Sequence, residues 1–319
     1  MCKRIFLDQN IWILLNNNKT EYKSLLDKLK LRINENQIKI YLTPSILWET
    51  GKDIKADRKK ELICFITDYT SANTIIPFFK IFPLEIKNYI YIKMNKPTIN
   101  LDQIIFKEGF PYLFGCKGEI IPIKETSDSD EKLKEVTDFM NGKESIIKMV
   151  SNEKICDIFR KYPDPFGVYD TLTDTRQKII NDPLIKNQPK IRKLEVLIAN
   201  YFGSVIGPFI IEKQIELKLP KEFLLNENST KEDFYKLIEN LPCLNTYFHL
   251  LLKKGSDISK ELKINDSFDI MSYAIVVPYC DIVVAENQFY SYIKDKKLDD
   301  LYKTKILRWS DINQLENLL

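Results

Sequence analysis

Three acidic side chains, Asp8, Glu49 and Asp269, and a fourth acid just after Val284 stand where short apolar runs end or in the helical stretches beside them. Carboxylates gathered in this way, with no histidine or cysteine among them, make a poor zinc site and a good oxygen-ligand site for Mg2+ or Mn2+. Packed closely, they raise one another's pKa values unless a cation compensates. Such a site suits phosphodiester hydrolysis, in which the ions orient and deprotonate a water and neutralise charge on the phosphate oxygens. The chain has one histidine, His249, inside the helical run YFHLLLKK, where it reads as a core or half-buried helix residue rather than a catalytic base. Cys2, Cys64, Cys116, Cys156, Cys243 and Cys280 are scattered and form no CxxC pair, so free thiols in a reducing cytoplasm are expected.

The elements that must position these acids lie near the two ends of the chain. In KRIFLDQNIWILL, Ile5, Phe6 and Leu7 make a short strand that delivers Asp8 at its carboxyl end, and Asn10 is a cap for a helix from Ile11. A helix over about Glu21 to Asn34 follows, with Leu25, Leu26, Leu29 and Leu31 on its apolar face. The second strand, Ile38 to Leu42, runs into Thr43 as cap and Pro44 at the first helical position, and that helix carries Glu49. Lys52, three residues on, offers a plain surface ion pair as the other account of Glu49. Near the far end, Asp266 and Asp269 have capping-box spacing before an apolar helix that Pro278 should stop. CDIVVA then reads as a buried β-branched strand, followed by a helix from Gln288, the solvated run KDKKLDD, a strand at Lys305 to Leu307 and a closing helix, Asp311 to Leu318.

The middle reads differently. Arg58 to Thr70 is helical, Pro77, Pro83, Pro97 and Pro111 then cut the chain into aromatic-rich pieces, and Ile123 to Glu135 is a polar surface segment. YPDPFG is a turn, Lys190 to about Leu219 is a helix that Pro208 kinks or divides, and further helices follow Thr230 and span about Asn245 to Lys254. About 200 residues of mainly helical sequence thus separate two α/β pieces, far more than a loop, and must have their own packing. The division expected is 1–55 with 262–319 as one discontinuous α/β domain and 56–261 as an insertion or second subdomain.

FLDQN, an acid soon after the second strand, and DIMSYAIVVPYCDIVVAENQF together resemble the PIN-domain nucleases, especially bacterial members. The resemblance covers roughly residues 3 to 55 and 262 to 309. It implies a three-layer α/β/α domain with a mostly parallel central sheet. It also implies a quartet of acids that binds Mg2+ or Mn2+ and cuts single-stranded or structured RNA, sometimes DNA. Carried over motif by motif, the acids are Asp8, Glu49, Asp269 and, fourth, Glu286. At the fourth motif the family has Thr followed by Asp, where this chain has Ala285, Glu286 and Asn287. Asn10, Asp266, Asp281 and Asn287 would then stand around the ligands and orient them. The alternative is a degenerate PIN-like module that binds RNA or a partner protein without cutting it.

A net charge of +3 gives no general pull on nucleic acid, so any basic face must be local. Arg176, Lys186, Lys190, Arg192 and Lys193 form the densest basic region and are the candidates for phosphate-backbone contacts, or else a solvated helix start. A toxin, a defence nuclease or a processing enzyme would all fit, with an antitoxin or regulator as a possible partner class. No stretch approaches the roughly 18 to 20 apolar residues of a membrane span, and the amino terminus has no long apolar signal core.

Overall fold

The computed structural model describes residues 2–52, 55–115, 138–161, 167–189, 193, 206–220, 222–225, 228–257 and 259–319. The chain is mixed α/β and mainly helical, and it separates into two compact units. The first takes Met1–Pro77, Asp102–Pro163 and Tyr279–Leu319; the second takes Phe78–Leu101 and Asp164–Pro278. The α/β unit therefore reaches well beyond residue 55, and most of the helix that carries Asp269 is counted in the second unit.

In the first unit, β1 (Lys3–Leu7) leads to α1 (Gln9–Asn17) and α2 (Lys23–Asn34). Then follow β2 (Ile38–Ile40), α3 (Pro44–Lys52) and α4 (Ala56–Thr70). β3 (Asn73–Ile75) and β4 (Phe106–Glu108) pair antiparallel, and β5 (Ile282–Ala285) and β6 (Lys305–Arg308) complete the strands. The main sheet is parallel throughout, in the order β2-β1-β5-β6. Leu42, two residues past the end of β2, bridges Thr74 in parallel, so β3 continues the line of strands on the β2 side. These two strands come from the stretch whose sequence reads as a helical middle. Three residues each, they are too short to show a period of two.

Every residue of β5 is buried, as are Ile5, Phe6 and Leu7 of β1; parallel strands covered on both faces have this continuous apolar character. The core beside them is aromatic. Trp12 of α1 is fully buried, edge-on to Phe65 of α4 at 6.1 Å between ring centroids, with Tyr69 also at 6.1 Å.

Several local expectations shift. Asp8, not Asn10, caps α1: its Oδ1 accepts from the backbone N–H of Asn10 at 2.9 Å, because the chain turns helical directly at the strand end. The closing segment is a 3-10 turn, Trp309–Gln314, followed by a short α-helix, Leu315–Leu318. The run after Lys294 contains a helix, Leu298–Tyr302, and Asp299 is buried against the Lys294 ammonium.

The second unit is helical among its described residues. Phe78–Lys93 continues through Pro83, because Ile81, Phe82, Ile86 and Ile90 bury a face that outweighs the lost backbone bond. Pro208 lies in the first turn of a helix that starts at Gly207, so it opens that helix. Thr230 caps Lys231–Glu239 in a full capping box with Asp233. Pro242–Ser256 runs on past Lys254 through Gly255, and Asn265–Tyr279 continues through Pro278, its penultimate residue. The residues of the polar segment Ile123 to Glu135 lie outside those described.

Asp266 has a structural task in this unit. It is buried, accepts from the backbone N–H of Lys263 at 2.7 Å and meets the buried Lys254 Nζ at 2.7 Å. Stripping a buried cation of its carboxylate typically costs about 3 to 5 kcal/mol. Asp266→Ala is therefore expected to lower the urea midpoint strongly, with a loss on the order of 3 kcal/mol; a loss under 1 kcal/mol would show that this pair does not hold the helix.

Candidate functional site

The order β2-β1-β5-β6 places a topological switch between β1 and β5: the chain leaves β1 toward β2 on one side and leaves β5 toward β6 on the other. In open parallel sheets the crevice beyond the carboxyl ends of two such strands is the usual ligand site. Leu7 is in register with Val284, and the backbone N–H of Asp8 donates to Val284 O at 3.3 Å. Asp8 therefore follows β1 and Glu286 follows β5 at the same end of the sheet. Each occupies the N-cap position of the next helix, α1 and Asn287–Asp295, where the helix dipole favours an anion. Asp8 is 5% exposed and spends one carboxylate oxygen on its cap, whereas Glu286, half-buried and one methylene longer, makes no capping hydrogen bond.

Glu49 reaches this end from α3. Thr43 and Pro44 start that helix directly after β2, and Ile46, Leu47 and Trp48 anchor it in the core. Glu49 retains some contact with solvent, yet protein crowds it. Burial first, then the negative charges of Asp8 and Glu286, push its carboxyl up to about 8, against the opposing pull of Lys52. Lys52 pulls it down by more than Glu286 pushes it up, but burial and Asp8 outweigh that pull. Two of the other acids singled out in the sequence, Asp8 and Glu286, thus act electrostatically on Glu49.

Gln9 was not legible as part of this group. Turned so that both ends of its carboxamide are satisfied, it donates to Glu49 Oε2 and accepts from the Thr50 N–H at 3.1 Å. A glutamine can answer either protonation state of its neighbour, with its NH2 toward a carboxylate or its oxygen toward a protonated acid. The only sequence signal was its place next to Asp8.

No protein-family model matches this chain, and no curated protein or solved structure matches it. The site must be read from its own geometry. Among the described residues, no three His, Cys, Asp or Glu side chains are arranged as a ready metal-holding group, so the acids form a mutually repelling cluster and not a closed cage.

The remaining candidates divide. Asp269 lies in the first turns of Asn265–Tyr279, half-buried and within the second unit, as does the buried Asp266. Asn10 and Asn287 are exposed in the first turns of their helices. Asp281 stands at the opposite, amino-terminal end of β5, a strand length of roughly 13 Å from the acidic end. There its Oδ2 accepts from the Arg4 backbone N–H at 2.7 Å, which ties β1 to β5. Arg176 is committed as well: its Nη2 donates to the carbonyls of Asp257 at 2.9 Å and Lys260 at 2.7 Å, so the guanidinium holds a loop of its own unit and is not presented for phosphate. Lys193 is half-buried, Lys186 ends the short helix Pro183–Lys186, and Lys190 and Arg192 lie outside the described residues. Among the described residues no helix is long and apolar enough to cross a membrane, and the five described cysteines are free thiols.

Proposed function

We propose that this chain is a PIN-like, divalent-metal-dependent endoribonuclease, a three-layer α/β/α domain interrupted by a large, mainly helical insertion. The observation that carries the reading is the convergence of Asp8, Glu286 and Glu49 at the switch point of a parallel sheet, with Glu49 raised by burial and by the other two.

The donor set is all carboxylate oxygen, which fits Mg2+ or Mn2+, and the crowding of like charge is what a cation relieves. Asp8, Glu49 and Glu286 would hold the ion, and the sequence resemblance adds Asp269. When bound, the ion supplies charge neutralisation at phosphate and an acidified water. The chain's own groups then have distinct tasks. Asp8, fixed by its capping bond, keeps a charged oxygen at the strand end. Glu49, whose carboxyl is raised to about 8 in the metal-free protein, would give up that proton as it joins the ion. Gln9 holds Glu49 in place. RNA is the proposed substrate, with DNA the other possibility, and the cytoplasm the proposed compartment.

A second reading, a PIN-like module that binds RNA or a partner protein without cleavage, draws on two observations. No described trio of acids forms a ready metal-holding group, and Ala285 with Glu286 stands where the family carries Thr and Asp. One experiment separates them: cleavage of labelled single-stranded RNA and DNA in Mn2+, Mg2+ or EDTA. Cutting that needs the metal establishes the nuclease; metal-independent binding without cutting under any condition establishes the module.

A further inference from the structure

At the β2, β3, β4 edge of the first unit lies an open cavity of about 340 Å³, within the size range of about 300 to 1,000 Å³ typical of small-molecule pockets. Its walls combine three kinds of group. Tyr41, Phe106 and Tyr112 supply aromatic faces, and Tyr41 and Phe106 lean together at 4.6 Å between centroids. The Phe106 ring is held from beneath by the Arg4 guanidinium at 4.4 Å, itself locked by a bidentate pair with Asp102 at 2.8 and 3.0 Å.

Asn73 and Tyr41 are the second kind. They are 8% and 6% exposed, yet neither the Asn73 carboxamide nor the Tyr41 hydroxyl has a hydrogen-bond partner among the described residues. The residues are buried as a whole, but these polar atoms keep contact with solvent at the cavity, so its wall offers a carboxamide and a hydroxyl to a group that enters. Burial also raises the Tyr41 pKa, which keeps its phenol a hydrogen donor.

Cations are the third kind. Lys39 meets only the exposed Glu108, at 3.3 Å, a rim pair that exchanges readily for a stronger anion. Lys107 lies over the Tyr112 ring at 5.8 Å and has no ion-pair partner among the described residues.

We propose that this cavity binds a nucleotide, its base against Tyr112 and Phe106, its hydrogen-bonding edge read by Asn73 and Tyr41, and its phosphate met by Lys107 and Lys39. A carboxamide presents a donor and an acceptor side by side, the pattern that base edges present in return. Aromatic faces add stacking, and lysines meet phosphate as point charges. The shared chemistry is a base joined to a phosphate, whether free in solution or as one unit of a single-stranded RNA. The inference stands without the cleavage reading, because none of these residues belongs to the acidic cluster.

The test is calorimetric titration of the full chain, in EDTA, with AMP, CMP, ribose 5-phosphate and a short oligoribonucleotide. AMP and CMP are expected to bind with Kd below about 1 mM and ribose 5-phosphate at least ~10-fold more weakly. Lys107→Glu and Asn73→Leu should each weaken the nucleotides by ~10-fold or more, and Lys107→Glu, a surface change, should leave thermal unfolding unaltered. An oligoribonucleotide bound far more tightly than AMP, and displaced by it, identifies RNA as the source; equal affinities identify a free nucleotide. Absence of binding by every probe, ribose 5-phosphate matching AMP, or affinities untouched by Lys107→Glu and Asn73→Leu would overturn the proposal. Asp8→Asn should leave AMP binding unchanged, so a failed cleavage assay and a failed pocket are read separately.

Discussion

Asp8→Asn protein is expected to fold as the wild type does and to cleave RNA at least ~100-fold more slowly, the typical cost of one electrostatic group aimed at a reacting centre. The substitution is informative because Asp8 has two tasks that it separates. Asparagine is as good an N-cap as aspartate, so the bond from the Asn10 N–H, and with it the start of α1, is retained. What is lost is the charge at the end of β1. Glu49 supplies a readout that needs no metal and no substrate: with a neighbouring negative charge removed, its carboxyl should titrate at lower pH. Asp269→Asn, made in parallel, tests the residue that the family resemblance adds. Full activity in Asp8→Asn under Mn2+ would remove the nuclease reading, because no other described acid shares its place directly after β1.

Glu49→Gln is expected to make the metal-free protein more stable at pH 8 and to change it little at pH 4 to 5. The unfolded carboxyl titrates near 4.5, whereas in the folded protein burial and the charges of Asp8 and Glu286 raise it to about 8. Between those values the native state holds a proton that the unfolded chain has released. Stability therefore falls as pH rises through that window and levels off above it. Each unit of displacement corresponds to about 1.4 kcal/mol, so the effect is on the order of a few kcal/mol and appears as several degrees in Tm. Glutamine abolishes the titration and preserves a polar partner for Gln9. Thermal unfolding of both proteins from pH 4.5 to 8.5 in EDTA gives the measurement: curves that converge toward pH 4.5 and a divergence that opens from about pH 5 and grows to about pH 8 are expected. Parallel curves would mean that Glu49 is not crowded by the other acids. With Mn2+ present at pH 8, the wild type should regain stability and Glu49→Gln should gain less, since ligand bound only to the folded state stabilises it.

The two predictions share a cause. Acids placed at strand ends by a parallel sheet are pushed together by the fold, and the energy of that crowding is available either to a proton or to a cation. The fold maintains the arrangement because β5 and the last three residues of β1 are buried, so the backbone that carries Asp8 and Glu286 cannot relax away from Glu49 without exposing Ile5, Leu7, Val283 and Val284.

What the sequence determined by itself was local. The run Ile5 to Leu7 ending in Asp8, the Thr43 and Pro44 start of α3, the β-branched run of β5 and the Thr230 capping box are all set by neighbours within four residues, and each stands where its pattern put it. Asp8, Glu49 and Glu286 could be singled out for the same reason, as each closes or follows such an element. Pairings between distant residues were decided by the tertiary structure. The short β3 and β4 acquire their identity from each other and from the Leu42 bridge, not from any period of their own. Pro83 sits inside a helix because tertiary burial outweighs one missing backbone bond, whereas the helix that holds Pro278 ends one residue later, in keeping with the stop its sequence signals. Asp281 and Arg176 read as site residues by type, yet the fold turned one to the backbone of Arg4 and the other to two loop carbonyls. Gln9 carried no motif at all; it became a partner of Glu49 because α1 and α3 bring residues forty positions apart within hydrogen-bonding distance, a relation no local pattern encodes.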